Sequence, residues 1–84
     1  IVADAASSVR VERVDFSMLL LTLQRSCRRS PAWVAAMLGK QRSTVARWID
    51  GAEPAYGEGA ALVSLAAREL RITEEDVRAS FRVA

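Results

Sequence analysis

Residues 31–51, PAWVAAMLGKQRSTVARWIDG, contain two short helical patterns separated by a glycine. In each pattern three apolar side chains stand at i, i+3 and i+4, the spacing of one helix face. These side chains are Val34, Met37 and Leu38, then Val45, Trp48 and Ile49. Gly39 and Gly51 follow the patterns, at positions where a left-handed backbone commonly ends a helix. Two helices joined by so short a turn must cross steeply, so the stretch predicts a helix-turn-helix unit.

The spacing of small and apolar residues in this unit is that of a known family. Ala35 stands four positions before Gly39, while Val45 and Trp48 stand six and nine positions after it. In this spacing the stretch resembles the helix-turn-helix of the lambda-repressor/Cro-type regulators, also called the xenobiotic-response-element family. The resemblance is closest over the two helices and extends more loosely over 15–81. It implies an all-α fold, a five-helix lambda-repressor-like DNA-binding domain.

The second helix of the unit, predicted at 42–50, carries residue types that read DNA bases. Arg can bind guanine O6 and N7 in a fork, and Gln can bind adenine in the same way. Helix-turn-helix proteins place the N-terminal end of their second helix against base edges in the major groove. The resemblance implies readout from the same positions, and we rank Arg42 first among them. The predicted base contacts are Gln41, Arg42, Ser43 and Arg47. An alternative for Arg47 is a contact to a phosphate or to Asp50.

Contacts to the phosphate backbone are predicted around this helix. They are Lys40, Thr44, Arg28, Arg29 and Tyr56. Arg28 and Arg29 also fall in the last turn of the first predicted helix, where cations suit the helix dipole, and we prefer that role for them. Tyr56 fits either a phosphate contact or a cap on the core. Trp48 is assigned to the core because it shares a face with Val45.

Basic charge is concentrated around the predicted helix-turn-helix. The chain as a whole has a net charge of +2. Residues 16–49 contain six basic side chains and no acid, whereas residues 50–84 contain four arginines and seven acids. Such a distribution is typical of a protein that binds a phosphate backbone. A solvated basic surface is the simpler alternative, and we favour DNA because the charge coincides with the motif.

Three further helices are predicted outside the helix-turn-helix. Asp15 can cap a first helix at 16–28. Pro and Gly residues mark a loop at 51–58, which leads to a fourth helix at 59–70. Thr73 begins a fifth helix, whose first turn carries acids that suit its positive end.

The chain divides into an N-terminal arm, 1–14, and the helix-turn-helix domain, 15–84. The arm has no helical period, and it is predicted to be either flexible or briefly extended. In the family that the chain resembles, apolar residues of the last two helices often form the dimer seam. The candidates here are Leu65, Phe81 and Val83, although ordinary core packing explains each of them equally well.

Composition argues against several classes of protein. Cys27 is the only cysteine and histidine is absent, so neither an intrachain disulfide nor a Cys/His zinc site can form. The apolar run at 18–23 is too short to span a bilayer, and we expect a cytoplasmic, nucleoid-associated protein without a cofactor. No histidine, phosphate-binding glycine loop or converging carboxylate pair points to an enzyme.

The sequence therefore predicts a sequence-specific DNA-binding transcriptional regulator, a homodimeric repressor that binds double-stranded DNA. An antitoxin or phage-type regulator that also binds a protein partner is a narrower version. The alternative from another class is a protein-interaction module of the same fold that binds another regulator or polymerase rather than DNA. Arg42 and Arg47 favour the first hypothesis, because a module that no longer binds DNA does not need a basic helix face.

Overall fold

Five α-helices make up most of residues 13–83, the part of the chain that this computed structural model describes. They are α1 (Phe16–Ser26), α2 (Pro31–Leu38), α3 (Arg42–Ile49), α4 (Tyr56–Leu70) and α5 (Glu74–Ser80). The predicted all-α class with five helices is confirmed. None of these helices is long and apolar enough to cross a bilayer.

Short polar side chains begin three of the helices. The capping residues are Asp15 for α1, Ser30 for α2 and Thr73 for α5. Each side chain accepts a hydrogen bond of 3.0 or 3.1 Å from the backbone N–H three residues later. Such a cap satisfies one of the donors that a helix leaves unpaired, and it contributes about 1 kcal/mol.

Gly39 makes the turn between α2 and α3. Its φ is 69°, and the N–H of Lys40 donates to the carbonyl oxygen of Ala35 across the turn at 2.8 Å. A left-handed residue with such bonds is the usual glycine end of a helix. The chain therefore passes from α2 to α3 in three residues, 39–41, and the two helices pack against each other.

The core lies between α1 and the helices around it. α3 and α4 both pack against α1, α2 also packs against α4, and α5 packs on α4. The largest fully buried side chains are Leu19, Leu23, Val34, Val45, Leu62, Val63 and Val77. Trp48 is only 3% exposed, so its assignment to the core is confirmed. Burial of each such side chain contributes about 1.5–3 kcal/mol.

Two helices end earlier than predicted. α1 was expected to continue to residue 28, but it ends at Ser26 because Arg28 takes a left-handed backbone with φ of 58°. α3 ends at Ile49, one residue short of the predicted end, and Asp50 is its C-cap.

The predicted loop at 51–58 is too long, because α4 begins at Tyr56 rather than at 59. Glu58 Oε1 accepts a hydrogen bond from the backbone N–H of Ala55 at 3.0 Å. This bond satisfies a donor at the helix start and favours helix three residues earlier. Gly59, inside α4, allows Phe16 to pack closely, since a Cβ there would lie 3.0 Å from Cζ of Phe16.

Burial at one apolar position of α2 differs from the prediction. Met37 was expected on the inner face of α2 but is 48% exposed. The buried arc of α2 is centred between Val34 and Ala35, and Met37 lies on the outer side of Val34. Met18 of α1 is likewise 48% exposed, whereas Leu65, a candidate for the dimer seam, is buried.

The two ends of the described chain are joined by backbone hydrogen bonds. Val14 and Arg82 form an isolated antiparallel bridge. The N–H of Asp15 donates to the carbonyl oxygen of Phe81 at 2.6 Å, and the N–H of Val83 donates to the carbonyl oxygen of Arg13 at 2.8 Å. The last two residues of the predicted arm are thus attached to the domain. The rest of that arm, residues 1–12, lies outside the described residues.

Substitution of Gly39 tests the turn between α2 and α3. We expect Gly39→Ala to lower the free energy of unfolding by about 1–2 kcal/mol, because a left-handed backbone is strained for an L-residue. No atom lies within 4 Å of the added Cβ, so the loss is conformational and not steric. Urea unfolding followed by circular dichroism measures the change.

Gly57→Ala is the matched control for this experiment. Its added Cβ also meets open space, but Gly57 lies in the first turn of α4 with an ordinary helical backbone. The free energy of unfolding is therefore expected to stay unchanged or to rise by up to about 1 kcal/mol. An equal loss in both variants would contradict the role assigned to Gly39.

Candidate nucleic-acid interface

α3 has one buried face and one exposed face. Val45 and Trp48 are buried against the rest of the domain. The four predicted base-contact residues, Gln41, Arg42, Ser43 and Arg47, are all exposed. The same packing that fixes α3 thus turns these side chains to the outside. Gln41, Arg42 and Ser43 lie at the start of α3, whereas Arg47 lies in its last turn.

The guanidinium groups of α3 are not used to hold the domain together. Within residues 13–83 the structure gives neither Arg42 nor Arg47 an ion pair, and the alternative pair between Arg47 and Asp50 is not formed there. Arg offers five N–H donors in a planar fork that matches phosphate oxygens or a guanine edge. Both side chains are therefore available to a ligand.

The N-terminus of α3 differs from those of the other four described helices. Its N-cap is Gln41, whose side chain makes no capping bond. In the other four, an acidic or hydroxyl side chain accepts from a backbone N–H at the helix start. The first N–H groups of α3 and the positive end of its dipole are thus left to solvent or to an anion.

Lys40, a predicted phosphate contact, is paired within the protein. Its Nζ lies 2.7 Å from Oε2 of Glu58, whose other oxygen accepts from Ala55 N–H. The hydrogen bond from Lys40, the bond from Ala55 N–H and the charge of Arg47 hold the pKa of Glu58 below its ordinary value of 4.5. The pair joins the turn before α3 to the first turn of α4.

Arg29, another predicted phosphate contact, also has a partner in the domain. Its Nε lies 2.9 Å from Oε1 of Glu69, and its guanidinium carbon lies 4.4 Å from the ring centroid of Trp33. Trp33 is partly buried and packs against the core. Arg29 therefore attaches the start of α2 to the end of α4. The neighbouring Arg28 is exposed.

The remaining predicted phosphate contacts are Thr44 and Tyr56. Thr44 is half-buried in the first turn of α3. Tyr56 is 92% exposed as the first residue of α4, so it does not cap the core. The pairing of Lys40 with Glu58 places this end of α4 beside the turn that leads into α3.

Glu58 is the residue of this region that the sequence analysis missed. The stretch 51–58 contains Gly51, Pro54 and Gly57, which together favoured a loop. An acid three residues after a potential N-cap was the signal that could have located the helix start. It was overlooked because the N-cap itself is Ala55, which has no side-chain acceptor.

Two further observations concern the possible role of α3 and the residues around it. Within residues 13–83 no group of three or more His, Cys, Asp or Glu side chains could hold a metal ion. No protein-family model, curated protein or solved structure matches the chain. The exposed face of α3 is therefore the feature of the described residues that bears on function.

The lowered pKa of Glu58 predicts a pH-dependent contribution to stability. Because the folded pKa lies below 4.5, the ionised carboxylate stabilises the fold at higher pH, and this contribution is lost as the pH falls through the folded pKa. Glu58→Gln keeps an oxygen for Ala55 N–H but loses the charge that pairs with Lys40. We expect it to unfold at lower urea concentration than the parent at neutral pH.

Urea midpoints of the parent and of Glu58→Gln, measured from neutral to strongly acid pH, check this expectation. The difference between the two midpoints should shrink as the pH falls below 4.5 and then vanish. A difference that stays constant across this range would show that the charge of Glu58 contributes nothing.

Proposed function

We propose that the protein is a sequence-specific DNA-binding regulator of the lambda-repressor/Cro type. In this proposal α2 and α3 form the helix-turn-helix, and α3 enters the major groove of double-stranded DNA. One observation carries the proposal. Val45 and Trp48 fix α3 to the core, while Arg42 and Arg47 are exposed and have no ion pair within the described residues.

Base readout is assigned to the start of α3. Arg42 suits a forked contact to guanine, and Gln41 suits adenine. Ser43 lies in the same turn and can contact a base edge or a phosphate. Arg47, one turn further along, completes the exposed set. These residue types support sequence-specific binding because each can hydrogen-bond to a base edge, beyond attraction to phosphate.

Backbone contacts in this proposal flank α3. The uncapped N-terminus of α3, with Thr44, and the exposed Tyr56 and Arg28 supply donors to phosphate oxygens. Arg29 is the least suitable of the predicted phosphate contacts, because its guanidinium already contacts Glu69 and Trp33. These contacts position α3 on the duplex and carry no sequence information themselves.

We propose a homodimer acting as a repressor on nucleoid DNA in the cytoplasm. Two-fold symmetry then predicts a palindromic operator whose half-sites lie about 10 bp, or a multiple of this, apart. Of the seam candidates, Leu65 is buried within the protomer, whereas Val83 is 43% exposed and Phe81 half-buried. Val83 and Phe81 therefore remain the candidates for the seam. Bound at the operator, such a dimer blocks polymerase sterically.

Selection from a random duplex library, followed by fluorescence anisotropy, tests the proposal. We expect the recovered site to bind about 10³-fold or more tightly than a scrambled duplex, with affinity that falls steeply as salt rises. If the selection recovers no preferred site, sequence-specific binding is wrong. The interaction module that binds another regulator or polymerase then becomes the function to test.

Arg42→Ala tests the role of α3 in base readout. We expect binding to the recovered site to weaken by about 1–3 kcal/mol, because one forked base contact is lost, while binding to the scrambled duplex changes less. Arg68→Ala is the matched control, since Arg68 is an exposed arginine of α4 outside the proposed contacts. Equal losses for the two variants would contradict readout by Arg42.

A further inference from the structure

Lys40, a predicted phosphate contact, is paired with a carboxylate in the fold. It is the only lysine of the chain, and it directly precedes Gln41, the N-cap of α3. Its Nζ lies 2.7 Å from Oε2 of Glu58. A lysine paired this closely with a carboxylate attracts a phosphate less strongly, because the two opposite charges partly cancel.

Glu58 is held in position independently of Lys40. Its second oxygen accepts from Ala55 N–H at 3.0 Å, so the carboxylate is fixed at the start of α4 even when the lysine moves. The charges of Lys40 and Arg47 both act on it and favour its ionised form. Glu58 is therefore a fixed negative charge beside the turn that leads into α3.

We propose that Glu58 withholds Lys40 from the DNA backbone and thereby limits the sequence-independent part of DNA affinity. This inference rests on the proposed function. A phosphate contact adds affinity for every sequence alike, whereas contacts to base edges discriminate. A carboxylate that removes one phosphate contact therefore lowers binding to all duplexes and leaves base readout by Arg42 intact.

The surroundings of the pair allow the lysine to exchange partners. A pocket of about 200 Å³ adjoins it, lined by Leu38, Trp48, Gly57 and Ala61 together with the pair itself. The side chain of Lys40 is 38% exposed and that of Glu58 is 27% exposed. Because the side chain of Lys40 is already partly exposed, it can turn from the carboxylate toward solvent. A lysine on its flexible four-carbon stem is suited to such an exchange.

Glu58→Gln separates the charge of this residue from its capping role. The amide keeps an oxygen that can accept from Ala55 N–H, so α4 retains its start. Glu75→Gln is the control, because it changes the net charge equally at an exposed position in the first turn of α5. Both variants are compared with the parent on a scrambled duplex by anisotropy across a salt series.

We expect Glu58→Gln to bind the scrambled duplex about 3-fold or more tightly than Glu75→Gln does. The slope of log affinity against log salt should also become more negative by about 0.9, the value for one additional neutralised phosphate. The selected site should gain by the same factor. Equal affinities and equal slopes for the two variants would overturn the inference.

Lys40→Gln tests whether the effect passes through the lysine. In a Lys40→Gln background, Glu58→Gln should act no more strongly than Glu75→Gln, because no withheld cation remains to be released. A full gain in affinity without Lys40 would show that Glu58 acts only by general repulsion, and the inference would be wrong.

The same measurements separate this inference from the proposed function. If the parent and every variant fail to bind any duplex, both are wrong. If the parent binds duplex DNA but Glu58→Gln binds no more tightly than the control, only the withholding of Lys40 is wrong. Because the scrambled duplex suffices, the result does not depend on finding the operator.

Discussion

Val45 and Trp48 anchor α3 to the domain, and the position of every exposed residue of α3 depends on that contact. α3 has only eight residues, and a helix of that length is not stable alone in water. Its stability comes from burial of these two side chains, 0% and 3% exposed. Since a helix has a fixed rotation per residue, burial of one face determines which residues lie on the other. Core packing thus fixes the position of Arg42 and Arg47.

Two ion pairs connect the residues that flank α2 to the two ends of α4. Arg29, just before α2, meets Glu69 near the end of α4, while Lys40, just after α2, meets Glu58 near the start of α4. The two helices therefore run antiparallel. Both pairs use basic residues that the sequence alone assigned to phosphate. A basic residue near a candidate interface can serve the fold, and only its partners in the structure separate the two roles.

Local signals made most of the fold predictable from sequence. Asp15, Ser30 and Gly39 each act through backbone groups within a few residues, so their effects can be inferred without knowledge of the tertiary structure. Met37 was misplaced because an i, i+3, i+4 pattern identifies a helix but leaves the centre of its buried arc undetermined. That centre depends on where α3 and α4 lie.

The electrostatics of the candidate site could not be predicted in the same way. The exposed positions of α3 follow from its helical period, but the pairing of Lys40 with Glu58 joins residues eighteen positions apart. Its formation required the start of α4 to lie at Tyr56, where the Gly and Pro residues had suggested a loop. Because the start of α4 was predicted three residues too late, the pairing of Glu58 with Lys40 was not foreseen.

Amide chemical-shift mapping during titration of the isotope-labelled protein with duplex DNA tests the central claim most directly. We expect the largest shifts on residues 40–47, which include the uncapped N-terminus of α3, and no shifts in α5 (Glu74–Ser80). Shifts concentrated on the acidic start of α5, or no shifts at any DNA concentration, would contradict the claim that α3 presents a DNA-binding face.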